Sequence, residues 1–508
     1  MKIAEVLIFR GVSQTYSYLV PEVNFDAYTV GTHVTVPFGR SSVNGVIVRL
    51  CTETEAPKAL KTVLETVEKK PVLSEDMIDL IFWFSGHYQT TPHKAYQTIV
   101  GRAKLRDLPE TENPKQAQDP SFSPTADQTK VIDHIINMTG FSRTLLHGVT
   151  ASGKTEVYIQ IAKHMIKQQK TVLMLLPEIA LTPQFSEVFN ERFGDTVAII
   201  HSGLTPKYRE IEWNRIYQGR VDIVIGPRSA IFVPLKNIGL VIIDEEHESS
   251  YKQDTHPRYY THSVAEYRAK RHQAALLFGS ATPRIESYTA NKDTHILSLK
   301  HRVNGQDMPQ VHLIDMKEEM AENRYGLISK PLIQAIAQCL EKKEKIMILI
   351  NRKGFAPHIA CQKCGEVYRC KQCNLSFTYH KDKSFRCHRC HVRQPITHMC
   401  PACHEPRLQF SGVGIEKVEI ELTTLFPKAE ILRLDRNNAT THKKLTKILN
   451  TFKTSGDILV GTQLIAKGHH IDQVTLVGVL GIDTTLNLPD FRAPERAFQL
   501  VTQVAGRA

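Results

Sequence analysis

The chain has 508 residues, 42% of them hydrophobic, and carries 64 Lys and Arg against 52 Asp and Glu, a formal net charge of +12. That length exceeds one ordinary core and argues for about three or four domains, while the excess of cations suits a polyanionic partner. No apolar run reaches the length of a membrane span, and the opening MKIAEVLIFRGVSQTY is too briefly apolar, with Glu5 inside it, for a secretory signal. A cytoplasmic protein is expected.

In chain order, the runs VLIF, YSYLV, HVTVPFG and NGVIVRL within the first 50 residues are short, apolar and separated by Gly and Pro, and predict a small all-β module. Residues 74–100 read as helical, with Ile78, Ile81, Phe82 and Phe84 near one face. The polar, proline-rich stretch from Asp107 to Pro124 has no periodicity and reads as a linker. From Thr144 the strands TLLH, VLMLLP, VAIIHS, VDIVIG, LVIIDE and ALLFGSA alternate with helical segments, which predicts a parallel sheet covered on both faces. The series restarts after Lys330 with IMILI, ILRL, ILVGT and VTLVGVL, and a cysteine block sits after IMILI. The expected organisation is therefore α/β: an N-terminal domain over 1–105, a linker over 106–124, a first lobe over 125–300, the start of a second lobe over 301–360, a metal-binding insertion over 361–404 and the rest of the second lobe over 405–508.

Eight of the ten cysteines form four Cys-x-x-Cys pairs: Cys361/Cys364, Cys370/Cys373, Cys387/Cys390 and Cys400/Cys403. Two intervening residues let both thiolates reach one tetrahedral Zn²⁺ from a tight turn, so eight ligands make two closed Cys₄ sites. Only Cys51 and Cys339 lie outside the block, against a secreted disulfide framework. An iron–sulfur cluster is the rival, but even pairing suits zinc better than the uneven spacing of cluster proteins. The neighbouring His380, His388, His391, His398 and His404 are surplus to eight thiolates.

Gly148, Val149, Thr150, Ala151, Ser152, Gly153, Lys154 and Thr155 fill the pattern G-x-x-x-x-G-K-[ST] between a strand and a helix. There, backbone N–H groups surround the phosphates of ATP, Lys154 reaches the β/γ oxygens and Thr155 offers its hydroxyl to Mg²⁺. Asp244 and Glu245 end the apolar strand of LVIIDEEHESS, where one carboxylate can meet the same Mg²⁺ and the other can orient or deprotonate water. GSATP, Gly279 to Pro283, follows the next strand.

DEEH, GSATP, GTQLIAKGHH (Gly461 to His470) and QVAGRA (Gln503 to Ala508) resemble motifs II, III, V and VI of superfamily 2 helicases. With eight cysteines before motif V, and with VPFGR, LLPEIALTPQ, GPRSAIFVP, SSYKQ, NRKGFAP and LPDFRAPERAFQL, nearly the whole chain resembles PriA, the primosomal replication-restart helicase family. The resemblance implies two RecA-like lobes and an ATP-driven 3′→5′ DNA helicase that recognises stalled or abandoned forks, unwinds them and initiates primosome assembly. It implies forked and single-stranded DNA, a 3′ leading-strand end, primosome proteins, a helicase loader and single-strand-binding protein as partners of a monomer, with two Zn²⁺ and Mg²⁺ as cofactors. It pairs the ligands in nested fashion, Cys361, Cys364, Cys400 and Cys403 on one zinc and Cys370, Cys373, Cys387 and Cys390 on the other. Gln128 takes the place of an adenine-recognising glutamine, and Gln503 and Arg507 those of groups facing the γ-phosphate. Tyr16, Ser17, Phe38 and Gly39 fall on the pattern of the 3′-end pocket, although Tyr16 and Phe38 also suit a plain core. Tyr251, Lys252, Arg258, Tyr259 and Tyr260 fall on an aromatic-rich loop, where rings beside cations suit single-stranded DNA.

The sequence departs from the family at Ala151, Ser17, His262 and Ser263, where glycine, Asp, Arg and Asp are usual. A winged helix is missing before Gln128, and the sequence stops at Ala508 inside motif VI, as a partial sequence would; loss of an arginine finger slows hydrolysis by about 10³–10⁵. Two other functions compete: a fork-recognition scaffold with an incidental ATPase, and an RNA-directed motor.

Overall fold

The computed structural model describes residues 2–11, 14–22, 25–52, 60–67, 72–101, 122–177, 183–201, 203–289, 293–321, 326–350, 359–361, 364, 366–379, 384–387, 389–395, 399–406, 408–409, 414–435, 438, 442–462, 465, 474–488 and 490–506. It divides into two compact units, residues 1–148 with 152–300, and residues 149–151 with 301–508. The linker expected over 106–124 falls largely outside the described residues.

The first unit begins with β1 (Ile3–Ile8), β2 (Tyr16–Leu19), β3 (His33–Phe38), β4 (Ser41–Cys51) and β5 (Glu65–Thr66), an antiparallel sheet in the order β2-β1-β4-β3-β5. Side chains alternate across a strand, so Ala4, Val6 and Ile8 join Tyr18, Val34, Val36 and Ile47 in one core, while Leu7 and Val46 face the opposite way. That second face is covered by α1 (Glu75–His87) and α2 (Pro92–Ile99). Thr91 caps α2 by accepting from the Lys94 N–H, and Pro92 occupies the first turn, where no intrahelical donor is needed. Ile78, Ile81 and Phe84 are buried as expected, but Phe82 is 37% exposed. One residue is a turn of about 100° on a helix, which carries Phe82 off the stripe its neighbours share.

After α3 (Ala126–Ile136) come β6 (Ser142–Gly148), α4 (Lys154–Lys167), β7 (Thr171–Leu175), α5 (Pro183–Phe193), β8 (Val197–Ile199), α6 (Pro206–Tyr217), β9 (Ile223–Gly226), β10 (Ile238–Asp244), α7 (Thr261–His272), β11 (Ala275–Ser280), α8 (Ile285–Thr289) and β12 (Thr294–Leu299). The sheet order is β12-β6-β11-β10-β7-β9-β8, with parallel pairing throughout. Six of its strands are those legible as apolar runs; β12 is an edge strand with exposed and half-buried residues, and carries a weaker signal. Two apolar clusters cover the two faces, and the one containing Leu173, Val241 and Phe278 also contains Ile78, Ile81 and Phe84. The N-terminal domain and first lobe therefore share a continuous core.

The second unit holds α9 (Met316–Ala321), α10 (Lys330–Glu341), β13 (Lys345–Ile350), β14 (Ala360–Cys361), β15 (Thr378–Tyr379), β16 (Ser384–Arg386), β17 (Arg393–Pro395), β18 (Leu408–Gln409), α11 (Ile415–Leu425), β19 (Ile431–Leu434), α12 (His442–Thr454), β20 (Ile458–Gly461), β21 (Val474–Leu480), α13 (Asp483–Leu486) and α14 (Ala493–Ala505). Strands β19-β20-β13-β21 form a parallel sheet, and the cysteine block lies between β13 and α11 with its own ribbon, β14-β18, and meander, β15-β16-β17. Among the described residues no helix is long and apolar enough to cross a membrane.

Candidate functional site

The loop leaving β6 ends at Gly153, with φ +78°, and releases Lys154 and Thr155 into the first turn of α4. Ala151 takes φ +61°, so the alanine keeps the left-handed turn that glycine usually supplies, at the steric cost of its Cβ. Lys154 Nζ donates to the Gly148 carbonyl at 2.7 Å. Gln128 sits on α3, 1% exposed. Its amide nitrogen donates to the Ser152 carbonyl at 3.1 Å and its oxygen accepts from Thr125 N–H at 2.9 Å, closing a capping box with Thr125. Gln128 thus ties the start of α3 to the phosphate loop.

Asp244 ends β10, half-buried beside α4. Tyr158, one turn into that helix, donates its phenol to Asp244 Oδ1 at 2.9 Å. Burial, with the Glu245 charge beside it, pushes the Asp244 carboxyl up to about 6, against the pull of the Lys154 ammonium and the Tyr158 bond. The phosphate-loop lysine and the strand-end acid therefore share one electrostatic site. Glu245 stands at φ +47°, a conformation that a non-glycine residue holds only where its surroundings fix it.

The next two residues of DEEH bind GSATP and the segment after it. Glu246 is fully buried and accepts from Arg284 N–H and Nε, both at 2.8 Å, from Ser287 Oγ at 2.9 Å and from His262 Nε2 at 3.3 Å. Burial alone would raise Glu246, but the His262 bond and the Arg284 charge hold it down at about 2. His247 Nδ1 and Ser280 Oγ are 2.8 Å apart, and Ser280 Oγ accepts from Thr282 N–H at 2.9 Å. His262, where the family usually has arginine, lies between the Tyr260 ring (centroids 4.4 Å apart) and the Phe278 ring (5.2 Å). Burial holds its imidazole down at about 4, so it is neutral at pH 7 and donates from Nε2. Tyr158, Glu246, Arg284 and Ser287 were missed in the sequence, where only the adjacency of acids to GSATP pointed toward them.

The aromatic-rich loop corrects an expectation. Tyr251 is 1% exposed, and its hydroxyl donates to the Leu175 and Asp244 carbonyls at 3.0 and 2.7 Å. Tyr259 is 4% exposed and packs against Phe84 and Phe232. Rings without an open face do not stack on bases; these two are core. Tyr260 is half-buried, with His262 on one side and the Arg284 guanidinium 5.2 Å from its centroid. Lys252 and Arg258 are exposed, Lys252 Nζ donating to the Arg258 carbonyl at 2.8 Å.

In the N-terminal sheet the Tyr16 and Phe38 rings meet edge to face at 5.1 Å, and Gly39, at φ +62°, has open space where a Cβ would stand. Arg10 lies 5.8 Å from the Phe38 ring and Lys61 Nζ reaches the Gly39 carbonyl at 3.4 Å. Tyr16 packs on the core with Tyr18, so Ser17, between them on β2, points to the opposite face. The Ser17 side chain does not join Tyr16 and Phe38 in one pocket.

Sulfur atoms of Cys361, Cys364, Cys400 and Cys403 converge within 4.8 Å, as do those of Cys370, Cys373, Cys387 and Cys390. The closest cross-knuckle pairs are 3.6 Å for Cys361 and Cys403, and 3.5 Å for Cys364 and Cys400 and for Cys370 and Cys390. A disulfide is far shorter, whereas a tetrahedron of about 2.3 Å zinc–sulfur bonds has edges of about 3.8 Å, so both sets fit zinc. Among the described residues, three of the four knuckle turns close through the residue after the second cysteine: N–H groups of Asn374, His391 and His404 donate to the Cys370, Cys387 and Cys400 carbonyls. All three residues have positive φ. His391 and His404 are thereby turn residues and no part of the sulfur sets, while His380, His388 and His398 lie outside the described residues. The block is tethered within its unit by Ser376 Oγ to the Asn487 carbonyl (2.6 Å) and by Arg369 to Asn487 Oδ1 (3.0 Å). Gln503 lies on α14; Arg507 and most of GTQLIAKGHH fall outside the described residues.

Residues 5–101 match the 3′DNA-binding domain (3′BD) family, and residues 125–290 match the DEAD/DEAH box helicase family. The chain is 40% identical over 463 residues to Replication restart protein PriA of Bacillus subtilis (strain 168), an alignment covering 90% of this chain and 54% of that protein. Against the protein of the same name from Synechocystis sp. identity is 37%, covering 85% and 53%, and against that from Rickettsia felis it is 36% over 515 residues, covering 100% and 78%. The chain thus spans about half the length of the first two relatives. A 3′-DNA-binding sheet joined to a helicase lobe, two Cys₄ groups beside the second sheet and identity running the length of the chain converge on one assignment: this chain belongs to the PriA family of replication restart proteins.

Proposed function

We propose that the chain is an ATP-dependent 3′→5′ DNA helicase that recognises stalled or abandoned replication forks, unwinds DNA and initiates primosome assembly in the bacterial cytoplasm, at the nucleoid. The observation that carries this reading is the meeting of Lys154 and Asp244 in one half-buried electrostatic site, on a lobe that shares its core with the 3′-DNA-binding domain. Magnesium bound with ATP supplies charge neutralisation at the β/γ oxygens; Thr155 and Asp244 would hold it. Lys154 binds the same phosphates, and the backbone from Gly148 to Gly153 cradles them. Glu245, beside Asp244, orients water and takes its proton. Gln128 contacts the adenine edge, and Gln503 and Arg507 supply transition-state charge stabilisation.

Tyr16, Phe38 and Gly39 would receive the 3′ end, and Lys252, Arg258 and Tyr260 the single strand. The two Cys₄ groups would hold structural zinc ions in a module that moves with the second lobe and handles separated strands or docks primosome proteins, a helicase loader and single-strand-binding protein. The test is ATP hydrolysis by the 508-residue chain with forked DNA, with single-stranded RNA and without nucleic acid. Stimulation by forked DNA is expected. Stimulation by RNA alone would refute the reading, and tight fork binding without any stimulation would favour a scaffold.

A further inference from the structure

Helices α1 and α7 run antiparallel, joined at four levels. Asp76 meets His272 at 3.6 Å, Asp79 meets Arg271 at 2.9 Å, and the Trp83 ring stacks on Tyr267 with centroids 4.3 Å apart and 16° between planes. The fourth level differs in kind. The hydroxyl of Tyr88, the residue that ends α1, donates to the Tyr260 carbonyl at 3.1 Å and accepts from the Tyr260 N–H at 3.1 Å. One side-chain oxygen thus holds both polar groups of the residue from which α7 starts. Exposed ion pairs such as Asp79 with Arg271 slide at little cost; a hydroxyl bracketing both backbone polar groups of one residue does not.

From this segment two short paths reach the strand-end acids. The Tyr260 ring stacks on His262, His262 bonds Glu246, and Glu246 adjoins Glu245. Thr261 Oγ1 donates to the Tyr251 carbonyl at 2.8 Å, and the Tyr251 hydroxyl donates to the Asp244 carbonyl at 2.7 Å. Tight packing transmits small displacements instead of absorbing them.

We propose that Tyr88 is a positioning residue that couples occupation of the 3′-DNA-binding domain to the placement of Asp244 and Glu245, through Tyr260, His262 and Tyr251. The inference rests on the DNA-stimulated ATPase proposed above. Residues 75–99 lie within the segment matching the 3′-DNA-binding family, so a DNA end that favours one position of α1 favours one position of Tyr260. Coupling free energies between sites typically correspond to factors of about 5–150.

The experiment uses the whole chain carrying Tyr88→Phe, which removes the hydroxyl and keeps the ring. Forked DNA is titrated into the ATPase assay, and fork affinity is measured separately by anisotropy. The maximal stimulated rate should fall about fivefold or more, while the unstimulated rate, the fork Kd and the half-saturating DNA concentration stay within about twofold. Undiminished stimulation overturns the coupling, and so does a parallel loss of fork binding, which would make Tyr88 part of the DNA surface. Should Tyr88→Phe fail to fold, Tyr88→Leu, which also removes the hydroxyl and leaves the DEEH acids and their partners untouched, must give the same split. Absence of DNA-stimulated hydrolysis in the unsubstituted chain would overturn the functional reading and this coupling together, whereas undiminished stimulation in the variant overturns the coupling alone.

Discussion

The phenol of Tyr158 donates to Oδ1 of Asp244 at 2.9 Å through space that only glycine at position 279 leaves open. A Cβ on Gly279 would stand 1.7 Å from that phenol oxygen and 3.0 Å from Asp244 Oδ1. The glycine of GSATP is thus a spacing residue for the strand-end acid. Gly279→Ala should destabilise the chain by about 1–3 kcal/mol, as overpacked cores do. Adding Tyr158→Phe should recover part of that loss in urea melts; strictly additive losses would place the clash elsewhere.

Glu246 and Asp244 should respond to pH in opposite senses. Glu246 is held at about 2 against an ordinary 4.5, so the stability it contributes is present above pH 4.5 and fades as pH falls toward 2. Glu246→Gln should cost about 3 kcal/mol at pH 7, typical of breaking a buried ion pair, and much less near pH 2. Asp244 is raised from 3.8 to about 6, so its ionisation in the folded chain is penalised, and stability drops as pH rises from 4 to 6. In EDTA, Asp244→Asn should be more stable than the parent above pH 6 and equal to it near pH 3, as read by urea melts across pH.

Lys154→Ala should lower ATP turnover by at least about 10²-fold, the scale of removing one preorganised donor, with fork binding nearly intact in an anisotropy titration. The N-terminal domain and the lysine lie at different places in the first unit, Tyr16 and Phe38 on their own sheet. Equal loss of both activities would contradict that division.

The buried rings of the aromatic-rich loop separate stability from DNA contact. Tyr259→Ala should cost about 3–5 kcal/mol in a urea melt, as large aromatic truncations do. Lys252→Ala should leave the melt unchanged and lower the slope of log Kd against log salt by about one phosphate contact. An unchanged melt for Tyr259→Ala would return that ring to the surface.

Purified under non-chelating conditions, the chain should carry two zinc ions by elemental analysis, and Cys387→Ser should carry one. The two sulfur sets are separate and share no ligand. Unwinding should suffer more than ATP hydrolysis in Cys387→Ser; collapse of hydrolysis with unwinding spared would refute a strand-handling role.

Elements whose signal is local are legible in the amino-acid chain alone. Six strands of the first lobe and four of the second are apolar-rich runs because a parallel sheet covered on both faces buries most of its side chains; polar members such as Arg433 and Thr475 in the second lobe are not fully buried. The phosphate loop was legible because its spacing is set by one turn, and the knuckles because two residues fix the distance between thiolates. What distant segments share emerges only in the folded chain. The same aromatic letters that suit a DNA surface, Tyr251 and Tyr259, are core, since burial depends on Leu175, Phe84 and Phe232 far away in sequence. Glu246, in a run of acids, is distinguished from Glu245 only by Arg284, Ser287 and His262 closing over it. Tyr88 reads as an ordinary helix-end residue until α7 lies antiparallel to α1 and brings Tyr260 to its hydroxyl, 172 positions away along the chain. Periodicity records which way a side chain faces; it carries no record of what it will meet there.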